Sequence, residues 1–298
     1  MRARIFTMSD RLGRLITAAA SAVLALLTLP AHAEPAMWVV KDVDSTLYLL
    51  GTIHVTKPGM NWRSDKIEAA FEASNEYWME ATDNGDAAML QGLIVKHGYD
   101  RTHPLSSKLN GDDWARVEAA AKTVGLPISS VERMRPWLAA LALGLKPAAQ
   151  DEGYDFTHGV DRSLEASARA ARKTVKTFET LEQQMQIFSS LPEGSEVALL
   201  VQSLDEIASQ KSDMNRMVDA WMAGDIAVLG AKSVELKASA PELYDAVFVR
   251  RNMDWCDQIA TIMKGAGTSF VAVGAGHLVG DQSVPAILAK RGFTVTPY

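Results

Sequence analysis

An apolar run closed by Gly-x-x-His occurs twice in this chain, once near each end, and this constrains the fold more than any other feature. Leu47-Tyr48-Leu49-Leu50 leads into Gly51-Thr52-Ile53-His54. Ser269-Phe270-Val271-Ala272-Val273 leads into Gly274-Ala275-Gly276-His277, 223 positions later. Each run has the length and the β-branched or aromatic content of a buried strand. Each glycine stands where the strand should stop, so the backbone can turn sharply or let another group approach closely. In an α/β sheet, groups at the carboxyl ends of the strands face the ligand crevice. Two histidines delivered that way, from opposite ends of the sequence, can meet in one site.

The first residues read as an export address. Arg2, Arg4, Arg11 and Arg14 precede an apolar segment from Leu15 to Leu29 that ends in Pro30-Ala31-His32-Ala33. This is the pattern of a signal peptide, residues 1–33, with cleavage expected after Ala33; Met8 is a second suitable start. The apolar segment is too short for a membrane span, and no later segment approaches that length. The expected product is a periplasmic or secreted chain, Glu34 to Tyr298, forming a single domain. Its formal charge becomes −9 once four arginines and Asp10 leave a chain of −6. That balance weighs against nucleic acid or an anionic membrane surface as partner. One cysteine, Cys256, allows no intramolecular disulfide. Between Trp255 and Ile259 in a helical stretch, it reads as a small buried hydrophobe rather than a nucleophile.

Strand signals cluster at the two ends of the chain. Met37 to Lys41 and Thr46 to Leu50 form a pair, and Glu76 to Thr82 is a third strand ending near Glu80. Thr174 to Phe178, the Phe270 run and Phe293 to Thr296 complete the set. Ser64 is placed to cap a helix with Ile67, Ala70 and Phe71 on one face. Asp112 to Val124, Pro136 to Leu145, Asp161 to Ala171, several segments from Leu181 to Tyr244, and Asp245 to Met263 read as helices. In the last of these Val247, Val249 or Arg250, Met253 and Ile259 stand roughly in period. A further helix starts at Ser283 with Pro285 in its first turn. The expected fold class is α/β: a mixed sheet built from both chain ends, with Pro104 to Leu145 and Pro192 to Leu243 forming a helical cap.

The chemistry expected of such a site follows from its residue types. A neutral imidazole is a metal ligand, a general base or a hydrogen-bond donor near physiological pH. Five histidines follow Ala33, and two of them, His54 and His277, end apolar strands after Gly-x-x. With Glu80 they make an adequate set for Mn²⁺, Co²⁺ or Zn²⁺ with positions left for water. Such an ion would lower the pKa of its water and polarise a carbonyl. The same residues also permit a metal-free site, with a histidine as base and Glu80 orienting water or acting as acid. Arg251 of Arg250-Arg251-Asn252 is a candidate to clamp substrate or stabilise an oxyanion, or else lies in an ion pair. A lone histidine at a strand end is ordinarily a polar group satisfied by backbone; recurrence on two strands weighs for a site. His97 at a helix end and His103 before Pro104 have surface readings, so His97→Ala and His103→Ala should do little. His158 could face the site. Asp161 reads as a helix N-terminal cap, and Glu179 and Glu182 as first-turn acids, although Glu179 also occupies a strand-end position. No Gly-x-Ser-x-Gly elbow, Walker loop, dinucleotide fingerprint or His-Glu-x-x-His helix occurs.

These motifs, in this order, resemble the TraB/GumN family, which includes the Tiki-type proteases. The resemblance runs through Gly51-Thr52-Ile53-His54, Glu80, Gly159-Val160-Asp161 with Leu164, Glu165 and Ala168, Phe178-Glu179-Thr180-Leu181-Glu182-Gln183-Gln184, Arg251-Asn252 and Gly274-Ala275-Gly276-His277. It covers nearly all of Glu34 to Tyr298. It implies an α/β fold related to erythromycin-esterase-like proteins. Through the Tiki branch it implies metal-dependent proteolysis by the two histidines and the glutamate. The expectation is a metal-dependent hydrolase of a peptide or small acyl substrate, with a metal-independent esterase-like hydrolase or a non-enzymatic peptide- or metal-binding protein as alternatives.

Overall fold

Asp42 turns the chain between the first two strands: its carboxylate accepts the N–H groups of Asp44 and Ser45 at 3.2 and 2.7 Å. The computed structural model describes residues 34–82, 84–145, 153–209 and 213–298, and the expected export signal lies outside them. The strands so joined are β1 (Met37–Lys41) and β2 (Ser45–Thr52). With β3 (Glu76–Met79), β4 (Thr174–Thr177), β5 (Gly267–Gly274) and β6 (Thr294–Pro297) they form one sheet in the order β4-β3-β5-β2-β1-β6. β4, β3, β5 and β2 run parallel, whereas β1 is antiparallel to both neighbours. This is the mixed sheet from both chain ends that the sequence predicts.

The central strands β2 and β5 are covered on both faces, which is why they read as continuous apolar runs rather than alternating ones. Alternation still assigns each side chain to a face. Tyr48, Leu50, Phe270 and Ala272 pack with Ile67, Ala70 and Phe71 of α1 (Asp65–Ala73). Leu47, Leu49, Val271 and Val273 pack on the other face with Trp255, Cys256 and Ile259. Each fully buried side chain of this size contributes roughly 1.5–3 kcal/mol. Ser64 caps α1 as its sequence predicts, accepting the Ile67 N–H.

The remaining helices divide between the sheet and a cap. α2 (Ala87–Gly98) and α3 (Gly111–Thr123) are followed by α4 (Pro136–Ala140) and α5 (Val160–Ala170). α6 (Leu181–Ser189), α7 (Glu193–Ser209), α8 (Met214–Met222) and α9 (Ile226–Ser239) come next, and α10 (Arg250–Ile262) and α11 (Val284–Lys290) close the chain. α3, α4 and α7 share a core of their own through Val117, Ala121, Ala139, Leu200 and Leu204. The expected cap is therefore too large. α8 and α9 pack on the sheet through Ala220, Trp221 and Leu229, and the Trp221 indole N–H donates to the Gly51 carbonyl at 2.7 Å. Among the described residues no helix is long and apolar enough to cross a membrane.

A second correction concerns Asp245 to Met263. The first turn, Asp245–Val249, is π-helical, and α10 follows it. The wider turn inserts one residue and rotates the helix face. Asn252, Trp255, Cys256 and Ile259 are consequently the buried set, and Met253 is exposed. That rotation carries Arg251 and Asn252 to the carboxyl ends of the strands.

Candidate functional site

Parallel pairing sets Thr52 opposite Gly274 and Met79 opposite Ala272, so β2, β3 and β5 end along one edge of the sheet. His54, Glu80 and His277 follow those ends directly. Sequence alone predicts this convergence; the register supplies it.

His54 is positioned by the docking of α5. The Val160 N–H donates to the Ile53 carbonyl at 3.0 Å. A side chain at Gly159 would stand 2.5 Å from the His54 carbonyl oxygen, so this contact requires glycine. The docked α5 places Asp161 beside the ring. His54 Nδ1–H donates to Asp161 Oδ2 at 2.8 Å, and the Thr52 hydroxyl donates to Oδ1. With Nδ1 engaged, Nε2 is the nitrogen the ring presents, and its side chain is 66% exposed. The hydrogen bond and the charge of Asp161 favour the imidazolium and raise its pKa to about 9. Asp161 is thus not the predicted cap. The N-cap position of α5 is Gly159, which leaves the Asp161 carboxylate for His54.

Glu80 is held from three directions. Gly274 N–H donates to Oε1 at 2.7 Å, while Gln184 Nε2 and Arg251 Nη2 donate to Oε2 at 3.1 and 2.6 Å. His277 lies between the rings of Trp255 and Phe248, with centroids 4.4 and 5.0 Å away. Its Nδ1–H donates to Asn252 Oδ1 at 2.6 Å, and the Asn252 amide donates to the Gln282 carbonyl. That fixes the tautomer and leaves the lone pair on Nε2, 3.0 Å from Arg251 Nη1 and 3.8 Å from Glu80 Oε1.

Arg251 is the hub of the cluster. Nε donates to Glu179 Oε1; Nη1 donates to the Val247 carbonyl and His277 Nε2; Nη2 donates to Glu80 Oε2 and Glu179 Oε2. All five guanidinium N–H groups are therefore engaged. In this arrangement Arg251 has no donor left for a substrate oxygen. The expected clamp acts as a brace for the acids and for His277. Glu179, read from sequence as a first-turn acid, is released from capping because Thr180 and Gln183 form the capping box of α6. The Trp255 indole N–H also donates to Glu179.

Burial sets the protonation of the two inner groups. It drives His277 to the neutral form, well below the usual histidine range, with Glu80 opposing and Arg251 and His54 assisting. Burial alone would raise Glu80; the charges of Arg251 and His54 and the Gly274 amide oppose it and keep Glu80 ionised, while His277, neutral near pH 7, adds its charge only in acid. In the unfolded chain His277 binds a proton below its ordinary value of 6.5, whereas in the fold it stays neutral. Its contribution is therefore lost as pH falls below that value, and the Glu80 contribution is lost further into acid. Chemical denaturation at a series of pH values should show stability falling from pH 6.5 downward. His277→Gln should reduce that slope.

The other histidines lie elsewhere in the network. His158 is exposed and pairs with Asp155, and His103 pairs with Asp100 at the surface. His97 is not a surface group: it is 11% exposed, bonded to Glu182 at 3.0 Å and to Ser189. His97→Ala therefore removes a contact between α2 and α6. Asp161, Glu179, Gln184 and Asn252 complete the site; all four stand in the motifs of the family resemblance, but only the fold shows their partners.

The same geometry tests the expected Mn²⁺, Co²⁺ or Zn²⁺ set of His54, Glu80 and His277. The His277 lone pair accepts from Arg251, and Glu80 accepts three N–H bonds. At neutral pH His54 carries a proton where an ion needs a lone pair. Among the described residues no group of three or more His, Cys, Asp or Glu side chains is arranged to hold an ion. As folded, the set does not fit a metal.

Comparison with known proteins bears out the family that the sequence resembles. The sequence model of the TraB/PrgY/gumN family matches residues 36–297. An uncharacterized protein of Treponema pallidum (strain Nichols) is 23% identical over 283 residues, covering 90% of this chain and 84% of that one. The uncharacterized protein YbaP of Escherichia coli (strain K12) is 25% identical over 259 residues, covering 85% and 92%. No solved structure matches.

Proposed function

The chain belongs to the TraB/PrgY/gumN family, and we propose that it is an exported hydrolase of a peptide or another small acyl bond. The observation that carries the reading is the His54–Asp161 pair: a carboxylate-bound imidazole, exposed at the strand ends beside a buried, ionised glutamate. At neutral pH His54 holds its proton and is set up as the general acid for the leaving nitrogen or oxygen. Among the described residues Glu80 Oε1 accepts only the Gly274 amide, so a second lone pair can orient the attacking water and take its proton. As water adds to the acyl carbon and the bond to the leaving group breaks, His54 supplies a proton and Glu80 receives one. Exchange with solvent resets both. Arg251, Glu179, Gln184, Asn252 and His277 hold Glu80 and the floor of the crevice in place.

A peptide library and a panel of small esters, assayed with and without added Mn²⁺, Co²⁺ or Zn²⁺, test this reading against Glu80→Gln. The expected result is multiple turnover by the wild type and loss of turnover by the variant, with substrate binding retained. Equal binding by both proteins with no cleavage by either contradicts the hydrolase and identifies a binding protein.

A further inference from the structure

The geometry points to Arg251 as a built-in cation: it stands between Glu80 and His277, and while it is there the crevice takes no divalent ion. The inference rests on the arrangement of the site and not on the proposed reaction. His277 has one lone pair to offer, because its Nδ1–H is committed to Asn252, and Arg251 Nη1 lies 3.0 Å from the nitrogen that carries it. Glu80 Oε2 receives Arg251 Nη2 at 2.6 Å. An ion held by the His277 lone pair would lie about 2 Å from Nε2, on the side that Arg251 Nη1 now occupies at 3.0 Å; Glu80 Oε1, 3.8 Å from Nε2, is the oxygen spaced to share it. Nor can the guanidinium swing away freely. Glu179 grips it through both oxygens at 2.8 and 2.9 Å, the Val247 carbonyl takes a further N–H, and the Trp255 ring lies 4.7 Å from its central carbon. Glu179 is fixed in turn by the Trp255 indole N–H at 3.0 Å, and its side chain is only 8% exposed. Five donors matched to five acceptors make a fork that a point charge cannot replace. A divalent ion would have to break the bond to His277 and share a buried site with the displaced guanidinium.

Bound metal and the thermal midpoint, measured on the full chain after dialysis against Mn²⁺, Co²⁺ or Zn²⁺, test the inference without an activity assay. The wild type should retain no stoichiometric ion, and its midpoint should not move. Arg251→Ala, or Arg251→Ala with Glu179→Gln if the single variant folds poorly, vacates the position. These variants should gain one Zn²⁺ per chain and a metal-dependent rise in midpoint, both abolished by adding His277→Ala. A wild type that carries one ion per chain, lost with His277→Ala or Glu80→Gln, overturns the inference. So does a folded Arg251 variant that stays indifferent to all three ions. The wild-type arm needs no variant and decides the matter alone if neither variant folds. A protein that binds no ion and cleaves nothing would remove the hydrolase reading and leave this one standing.

Discussion

His54→Ala should abolish most turnover while leaving the fold unchanged. Removing a general acid or base lowers rates by roughly 10²–10⁴-fold, and that loss is expected in kcat/KM on any substrate the wild type cleaves. The ring is 66% exposed, so its removal fills with water rather than opening a dry cavity. Asp161, 13% exposed, loses the imidazolium that it binds, so stability should fall by roughly 1–3 kcal/mol, the cost of leaving a buried polar group unpaired. Steady-state kinetics and a thermal scan on the same preparation check both halves. A midpoint drop without a kinetic loss would mark His54 as a structural group.

Arg251→Ala should have the largest effect on stability. It leaves the Glu80 and Glu179 side chains, 11% and 8% exposed, without the cation that both contact. Breaking a buried charge pair from one side costs about 3–5 kcal/mol. In a chain of this size that corresponds to a midpoint lowered by roughly 6–20 °C. Arg251→Lys should fall between, because it keeps the charge but loses the fork that spans Glu179, Glu80, Val247 and His277. An Arg251→Ala variant as stable as the wild type would show that the network contributes nothing.

The parts of this site that were legible in the sequence are those with a local signature. β2 and β5 announce themselves as apolar runs of strand length, and Gly51 and Gly274 mark where they stop. Because both strands are central and parallel, their carboxyl ends share an edge, and the two Gly-x-x-His motifs pair His54 with His277. Glu80 followed from the end of β3. Asp161 was misread because an acid near a helix start has a local explanation as a cap. The N-cap position is taken by Gly159, whose missing side chain lets α5 approach the His54 backbone. Glu179 has two local readings, a first-turn acid and a strand-end group, and the structure gives it the second because its neighbour Thr180 is the cap. Asn252 stands in the Arg251-Asn252 motif, but its burial is hidden by the π turn at Asp245–Val249, which shifts the helical phase by one residue. The cap was overdrawn because periodicity shows that a helix has an apolar face, not which surface covers it. Only packing shows that Trp221 of α8 lies against the sheet and reaches Gly51.

The pH dependence of kcat/KM for the wild type and Asp161→Asn tests the central claim, that His54 is the proton donor and Asp161 sets its charge. Asp161 raises the His54 pKa from 6.5 to about 9, so the donating form persists through neutral pH. Wild-type activity should hold there and fall as pH rises through about 9. Without the carboxylate, His54 loses its proton earlier, and the fall should move down towards the ordinary histidine value. A falling limb at the same pH in both proteins, or no alkaline limb in either, would contradict the account.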